Sequence, residues 1–201
     1  MGAFTRFDPT EWIKKYNIVN YIETGFGNLT SFRHALNVSF EKFYGVDLDR
    51  DWYDQAQWLV SDNIILENDY STEALKKWCN SLSGNTLYYL DSHFPFSDYR
   101  GLSYNESISK YKEQSLPLLD ELEIIISNNI ISQSVFVLDD FFIYAGDDLT
   151  EWSRQNPFKY RELAKNFNID LSPKFIYDQL ELTHNIEVDT RDQGYLIVTP
   201  K

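Results

Sequence analysis

The chain has 201 residues, of which 31 are acidic and 18 are basic, so its formal net charge is −13. This length suits one domain of ordinary size, and the acidity would repel nucleic-acid phosphates and anionic membrane surfaces. The single cysteine excludes an internal disulfide and a thiolate metal cluster. No apolar run reaches the roughly 18 residues of a membrane span, and the N-terminus lacks the hydrophobic core of a signal peptide. We therefore expect a soluble, cytoplasmic protein that binds neither nucleic acid nor membranes.

The first half of the chain predicts four strands that alternate with three helices. The strands are continuous apolar runs, which is typical of strands buried on both faces of a parallel sheet. Ser71 or Thr72 is a suitable N-cap for the third helix. In chain order the predicted elements are a strand at Ile18–Glu23, a helix at Leu29–Ser39, a strand at Phe43–Asp47, a helix at Trp52–Val60, a strand at Asn63–Glu67, a helix at Ser71–Leu82 and a strand at Thr86–Leu90.

The second half predicts a further helix and strand, then a helix followed by two β runs. Pro117 and Pro173 stand where the two helices begin, a position at which the missing N–H of proline costs little. A short glycine-bearing turn joins the β runs, which indicates an antiparallel hairpin. Together, the alternation and the hairpin predict an α/β fold with a mostly parallel sheet. The elements are a helix at Leu116–Ser127, a strand at Val135–Leu138, a helix at Ser172–Leu182 and β runs at Asn185–Thr190 and Tyr195–Thr199.

Two long segments, Phe94–Ser115 and Phe141–Leu171, show no clear period, and each directly follows a predicted strand. Segments of this kind in a compact domain tend to be lids or binding loops. We treat residues 1–201 as one domain in which these segments, or a second subunit of the same chain, enclose a small-molecule substrate.

An acidic residue stands at or just beyond the end of each predicted parallel strand. In open α/β sheets, ligands bind beyond the carboxyl ends of the strands. For any single acid, the alternative is that it only caps the helix that follows. The five acids are Glu23, Asp47, Asp69, Asp91 and Asp139.

A glycine-containing turn, Glu23-Thr24-Gly25-Phe26-Gly27, follows the first strand. Gly25 permits a tight turn, and Gly27 lets a ligand approach the backbone. Asp47 comes 24 residues after Glu23 and ends the second strand, where its carboxylate can accept hydrogen bonds from both hydroxyls of a ribose.

These residues, together with the terminal hairpin, resemble class I S-adenosylmethionine-dependent methyltransferases over nearly the whole chain. The resemblance implies a Rossmann-like three-layer sandwich whose seven-stranded sheet has the order 3-2-1-4-5-7-6. It also implies S-adenosylmethionine as cofactor, with Glu23 near the methionine part, Asp47 near the ribose, and Asp69 and Tyr70 near the adenine. The implied cofactor-binding residues are Glu23, Thr24, Gly25, Phe26, Gly27, Asp47, Asp69 and Tyr70.

Three carboxylates, Asp91, Asp139 and Asp140, follow the fourth and fifth predicted strands, which are neighbours in that sheet. They would repel one another if left alone, and a hard cation such as Mg²⁺ would relieve the repulsion. The pattern resembles metal-dependent O-methyltransferases of small molecules and sugars, and this implies that the three acids are metal ligands. The metal would lower the pKa of a substrate hydroxyl. The alternative is that Asp140 caps a helix and Asp139 alone contacts cofactor or substrate.

His93 lies two residues beyond Asp91, and we assign both as candidate catalytic residues. A neutral imidazole could accept the hydroxyl proton near pH 7. The alternative is that His93 only hydrogen-bonds the lid.

The sequence thus predicts Mg²⁺-assisted methyl transfer from S-adenosylmethionine to a hydroxyl of a small molecule, with a sugar as one candidate. The residues after the fourth strand, Asp91 to Phe94, lack the Asn/Asp-Pro-Pro-aromatic pattern of many amino-methylating enzymes, which favours an oxygen acceptor. A non-catalytic methyltransferase-like binding domain is the alternative, since Asn28 stands where a third glycine is common. Methylation of protein or nucleic acid is the weakest hypothesis.

Overall fold

A seven-stranded sheet organises the computed structural model, which describes residues 3–97, 100–128, 133–144, 166–167, 169 and 171–201. The strand order is 3-2-1-4-5-7-6. Strands β1 to β5 pair in parallel, and β7 is antiparallel to both β5 and β6. The predicted fold and its terminal hairpin are therefore confirmed. The strands are β1 Ile18–Thr24, β2 Lys42–Val46, β3 Ile64–Glu67, β4 Asn85–Leu90, β5 Val135–Leu138, β6 His184–Asp189 and β7 Tyr195–Pro200.

Helices cover the sheet. Within the described residues, the α-helices are α1 Thr10–Tyr16, α2 Thr30–Ala35, α3 Arg50–Ala56, α4 Ser71–Cys79, α5 Tyr104–Tyr111, α6 Leu118–Ser127 and α7 Lys174–Leu180. No helix among the residues described here is long and apolar enough to cross a membrane.

The central strands β1, β4 and β5 are buried on both faces, as their continuous apolar runs predict. Alternate side chains of β4 enter two separate core clusters, because successive strand residues point to opposite faces. Tyr88 and Leu90 pack in the cluster that includes α4, α6 and α7, whereas Leu87 and Tyr89 pack in the cluster that includes the N-terminal residues and α2. The result is a three-layer sandwich in which the carboxyl ends of β1 to β5 lie along one edge of the sheet.

The structure corrects two local predictions, and a third concerns a segment that lies mostly outside the described residues. The segment Phe94–Ser115, expected to be irregular, contains α5, whose start is fixed by a reciprocal capping box between Ser103 and Glu106. The N-cap of α4 is Tyr70, which makes no side-chain capping bond, so the predicted cap at Ser71 or Thr72 is wrong. The segment Phe141–Leu171 begins with a 3₁₀ turn, and most of the remainder, 145–165, lies outside the described residues.

Candidate active site

The strand register places the carboxyl ends of four strands side by side. Thr24 of β1 pairs with Val46 of β2 and with Leu90 of β4, and Leu90 in turn pairs with Leu138 of β5. The pairing continues one residue further, because the Asp91 amide donates to the Thr24 carbonyl at 3.2 Å and the Asp139 amide donates to the Leu90 carbonyl at 3.0 Å. The acids that follow these strands are therefore neighbours along one edge.

A cavity of about 390 Å³ opens beyond this edge. This size falls within the range of small-molecule sites. Several of the residues that the sequence predicted as cofactor-binding, catalytic or metal-ligating line it together. These are Glu23, Gly25, Phe26, Gly27, Asp47, Asp91, His93 and Asp140.

The two glycines of the turn after β1 have different roles. Gly25 has a φ of +73°, and a Cβ at this position would lie 2.6 Å from the carbonyl oxygen of Asp91. Gly25 thus allows the loops after β1 and β4 to approach each other. Gly27 has a φ of +46°, but a Cβ there would meet nothing nearer than the Gly25 carbonyl oxygen at 4.0 Å. Because Gly27 has no side chain and lies in the cavity wall, a ligand can approach its backbone there.

Asp47 ties this turn to the end of β2. Its Oδ2 accepts a hydrogen bond from the Gly27 amide at 2.7 Å, and its Oδ1 accepts one from the Asp49 amide at 2.7 Å. Burial raises the pKa of Asp47 to about 6, although these two amide donors oppose the rise. Because each carboxylate oxygen has two lone pairs, Asp47 can still accept hydrogen bonds from a ligand.

Glu23 places a second carboxyl in the cavity wall and is only 1% exposed. Tyr21 donates a hydrogen bond from its hydroxyl to Glu23 Oε2 at 2.7 Å. Burial raises the pKa of Glu23 well above its ordinary value, the Tyr21 hydrogen bond opposes this, and the nearby Asp91 adds to it. A buried carboxyl of this kind is stabilised in its charged form by a bound cation.

His93 lies between two of the predicted acids. Its Nε2 is 2.7 Å from Oδ2 of Asp140, and its Nδ1 is 3.3 Å from Oδ1 of Asp91. Burial disfavours a charged imidazole, but the charges and hydrogen bonds of the two carboxylates outweigh it and raise the pKa of His93 well above its ordinary value. This geometry favours an imidazolium rather than the neutral base that we expected, and a direct role in catalysis stays a prediction.

Asp139 lies near these residues, but its carboxylate is hydrogen-bonded elsewhere. Its carboxylate accepts hydrogen bonds from the buried Tyr89 hydroxyl and, at 2.7 Å, from the amide of Asp140. Asp140 is the N-cap residue of the 3₁₀ turn Phe141–Ile143, but its carboxylate makes no hydrogen bond to the backbone of that turn. The alternative that Asp140 serves as a helix cap is therefore not supported.

As arranged, the predicted ligands do not fit a metal ion. Among the residues that the structure describes, no three histidine, cysteine, aspartate or glutamate side chains converge as a metal site. The His93 ring lies between Asp91 and Asp140, while Asp139 accepts a hydrogen bond from Tyr89.

Three other predicted cofactor residues do not line the described part of the cavity. Thr24 is buried, and its hydroxyl accepts a hydrogen bond from the Asp91 amide at 3.3 Å. Asp69 pairs at 2.9 Å with Lys77, and Tyr70 is 37% exposed at the surface. The adenine-binding role of Asp69 and Tyr70 stays a prediction.

Sequence reasoning missed an ion pair that closes one side of the cavity. Arg100 donates to both carboxylate oxygens of Asp49, at 2.5 and 3.2 Å, and its guanidinium lies 4.6 Å from the ring centre of Trp52. Asp49 also caps α3 by accepting the amide of Asp51. The capping role of Asp49 can be predicted from its position before a helix, but nothing in the local sequence predicts that Arg100 pairs with Asp49.

Comparison with known proteins identifies the fold. No protein-family model matches the chain, and no curated protein matches its sequence. A methyltransferase from Podospora anserina, solved with bound S-adenosylhomocysteine, superposes with a TM-score of 0.53 at 10% identity, covering 94% of this chain and 74% of that one. A protein assigned as a caffeoyl-CoA O-methyltransferase from Staphylococcus aureus superposes with a TM-score of 0.52 at 10% identity, covering 96% and 80%.

A spermidine synthase in complex with a transition-state analogue also superposes, with a TM-score of 0.50 at 12% identity, over 92% of this chain and 53% of that one. The chain therefore has the class I methyltransferase fold. Because methyltransferases and a spermidine synthase share this fold, it does not by itself fix the reaction.

Proposed function

We propose that the chain binds S-adenosylmethionine in the 390 Å³ cavity and transfers its methyl group to a hydroxyl of a small molecule. The observation that carries this proposal is the convergence of two sets of residues on one cavity. The Gly25–Gly27 turn with Asp47 supplies the features of a nucleoside site, and the Asp91–His93–Asp140 cluster supplies polar groups for an acceptor.

The charge of the cavity wall supports a cationic cofactor. Among the described lining residues, five are acidic and two are basic. The buried carboxyl of Glu23 would stabilise a positively charged sulfonium, because attraction between opposite charges is strong where water is excluded. Asp47 would accept hydrogen bonds from the ribose hydroxyls while it holds the Gly27 amide.

The acceptor would lie at the Asp91–His93–Asp140 cluster. Its hydroxyl oxygen attacks the methyl carbon, the carbon–sulfur bond breaks with its electron pair going to sulfur, and S-adenosylhomocysteine leaves. The hydroxyl proton goes to the carboxylate of Asp91 or Asp140, and His93 faces each of the two with one ring nitrogen. Positioning of the two reactants supplies much of the rate in such an in-line transfer.

A bound Mg²⁺ would polarise the acceptor hydroxyl, but the described residues do not fit it and we assign it no step. We expect EDTA to leave the rate of methyl transfer unchanged. Activity that EDTA abolishes and Mg²⁺ restores would return Asp91, Asp139 and Asp140 to the role of metal ligands.

An assay of S-adenosylhomocysteine release with a panel of hydroxylated small molecules, sugars among them, tests the proposal. We expect turnover with at least one acceptor, abolished in Asp91→Ala, while the Kd for S-adenosylhomocysteine changes less than about threefold, a difference below 1 kcal/mol. Asp62→Ala removes an exposed acid and is the matched control. Binding of the cofactor product without turnover on any acceptor would instead favour a non-catalytic binding domain.

A further inference from the structure

Glu121 of α6 is a buried acid that the proposed reaction does not use. Its side chain is 0% exposed, and neither carboxyl oxygen has a hydrogen-bond partner among the described residues. Buried polar groups in native proteins nearly always have a partner, because leaving one unpaired is costly. An apolar side chain could fill this position equally well, since Leu118, Leu122 and Ile125 of the same helix are all buried. The carboxyl therefore calls for a specific explanation.

A second, small cavity lies beside Glu121. The cavity has a volume of about 10 Å³, and its polar lining is formed by Glu121, Tyr144, Asp139 and the Asp91–His93–Asp140 cluster. This volume is close to what one water molecule needs. Tyr144 supplies an independent sign of an occupant, because its buried hydroxyl also has no partner among the residues described. Two unpaired groups thus line the same water-sized space as the candidate catalytic residues.

The surroundings of Glu121 connect it to the same strand ends. Burial raises the pKa of Glu121 to about 7, the nearby hydroxyls of Ser71 and Thr24 oppose the rise, and the charges of Asp120 and Asp91 add to it. Thr24 is the last residue of β1 and Asp91 directly follows β4. Glu121 thus lies under the edge where the proposed transfer takes place.

We propose that one buried water joins Glu121 and Tyr144 to the Asp91–His93–Asp140 cluster, and that Glu121 acts through this water as a positioning residue for methyl transfer. The Tyr144 hydroxyl donates to the water, and the water donates to Glu121 and to one carboxylate of the cluster. Three hydrogen bonds are typical of a buried water. The positioning role rests on the proposed function, whereas the water site does not.

Two substitutions at Glu121 separate positioning from packing. Glu121→Gln keeps groups that can hydrogen-bond the water, whereas Glu121→Leu keeps much of the volume and removes them. We expect Glu121→Leu to fold and to leave KM within about twofold while kcat falls about tenfold, since small displacements of reacting groups are costly. Glu121→Gln should keep kcat within about threefold, which is the rescue that a positioning role requires. Glu123→Leu, at an exposed position of the same helix, is the matched control.

A smaller change guards against misfolding of the Glu121 variants. Tyr144→Phe removes only the hydroxyl that would donate to the water, and we expect a fall in kcat of about threefold with KM unchanged. An unchanged kcat in both Glu121→Leu and Tyr144→Phe would overturn the positioning role.

A crystal structure of the whole chain tests the water site without reference to activity. We expect a water within hydrogen-bond distance of Glu121 and the Tyr144 hydroxyl, and its loss in Glu121→Leu. A metal ion in this cavity, or a dry cavity in the wild-type protein, would overturn the proposal. If the water is present but the chain transfers no methyl group to any acceptor, the proposed function fails and the water site stands.

Discussion

Replacing Glu121 by glutamine should stabilise the protein more as the pH rises. The pKa of Glu121 is raised from 4.5 to about 7, so the folded state holds this proton more tightly than the unfolded state does. The stability that the protonated form contributes is complete below pH 4.5 and is lost as the pH rises through 7. A difference of about 2.5 pKa units corresponds to about 3 kcal/mol at 1.36 kcal/mol per unit. Glutamine is isosteric with the protonated acid and does not ionise.

Urea denaturation of both proteins between pH 5 and pH 8 measures this effect. The free energy of unfolding of Glu121→Gln should exceed that of the wild type by about 1 kcal/mol at pH 5 and by about 3 kcal/mol at pH 8. Buried acids such as Glu23 and Asp47 titrate equally in both proteins, so the difference reports on Glu121 together with Asp91 and Asp120, whose charges act on it. The exposed Glu123→Gln control should change the free energy by less than about 0.5 kcal/mol at either pH.

A difference that does not depend on pH would refute the reasoning, because it would show that Glu121 ionises normally in the folded protein. So would a variant less stable than the wild type at pH 8, because the charged carboxylate would then be well compensated where it lies.

Two further substitutions test the turn and the cofactor carboxylate. Gly25→Ala places a Cβ 2.6 Å from the Asp91 carbonyl oxygen and should lower the free energy of unfolding in urea by more than about 2 kcal/mol. The control Gly101→Ala, with φ +84° and nothing within 4 Å of its Cβ, should lower it by about 1 kcal/mol. Equal losses in the two variants would contradict the close approach of the two loops. Asp47→Asn should raise the Kd for S-adenosylhomocysteine at least about tenfold in calorimetry, and Asp69→Asn, run in parallel, decides whether its predicted adenine contact exists.

Much of the fold was predictable because its signals are local. Continuous apolar runs located the strands to within one residue or so, and the strand Val135–Leu138 matches at both ends. Helix α5 was missed although Ser103 and Glu106 form a readable capping box, because its short, polar sequence shows no clear apolar period. The cap of α4 was wrong because Tyr70, which no capping rule favours, occupies that position.

The candidate site was predictable only as far as topology determines it. Parallel strands bring their carboxyl ends to one edge, so the acids that follow them had to become neighbours. The raised pKa of His93 was not predictable, since it depends on distances to Asp91 and Asp140 that only the tertiary structure sets. The burial of Glu121 could have been predicted from the sequence, because Glu121 shares the apolar helix face formed by Leu118, Leu122 and Ile125.

Calorimetric titration of the chain with S-adenosylhomocysteine decides whether the large cavity is a cofactor site. We expect saturable binding at one site per chain, together with a rise in melting temperature, since a ligand that binds only the folded state stabilises it. We expect Asp47→Ala to abolish both signals. The absence of both binding heat and a shift in melting temperature at millimolar ligand would contradict the assignment. Undiminished binding by Asp47→Ala would contradict it as well.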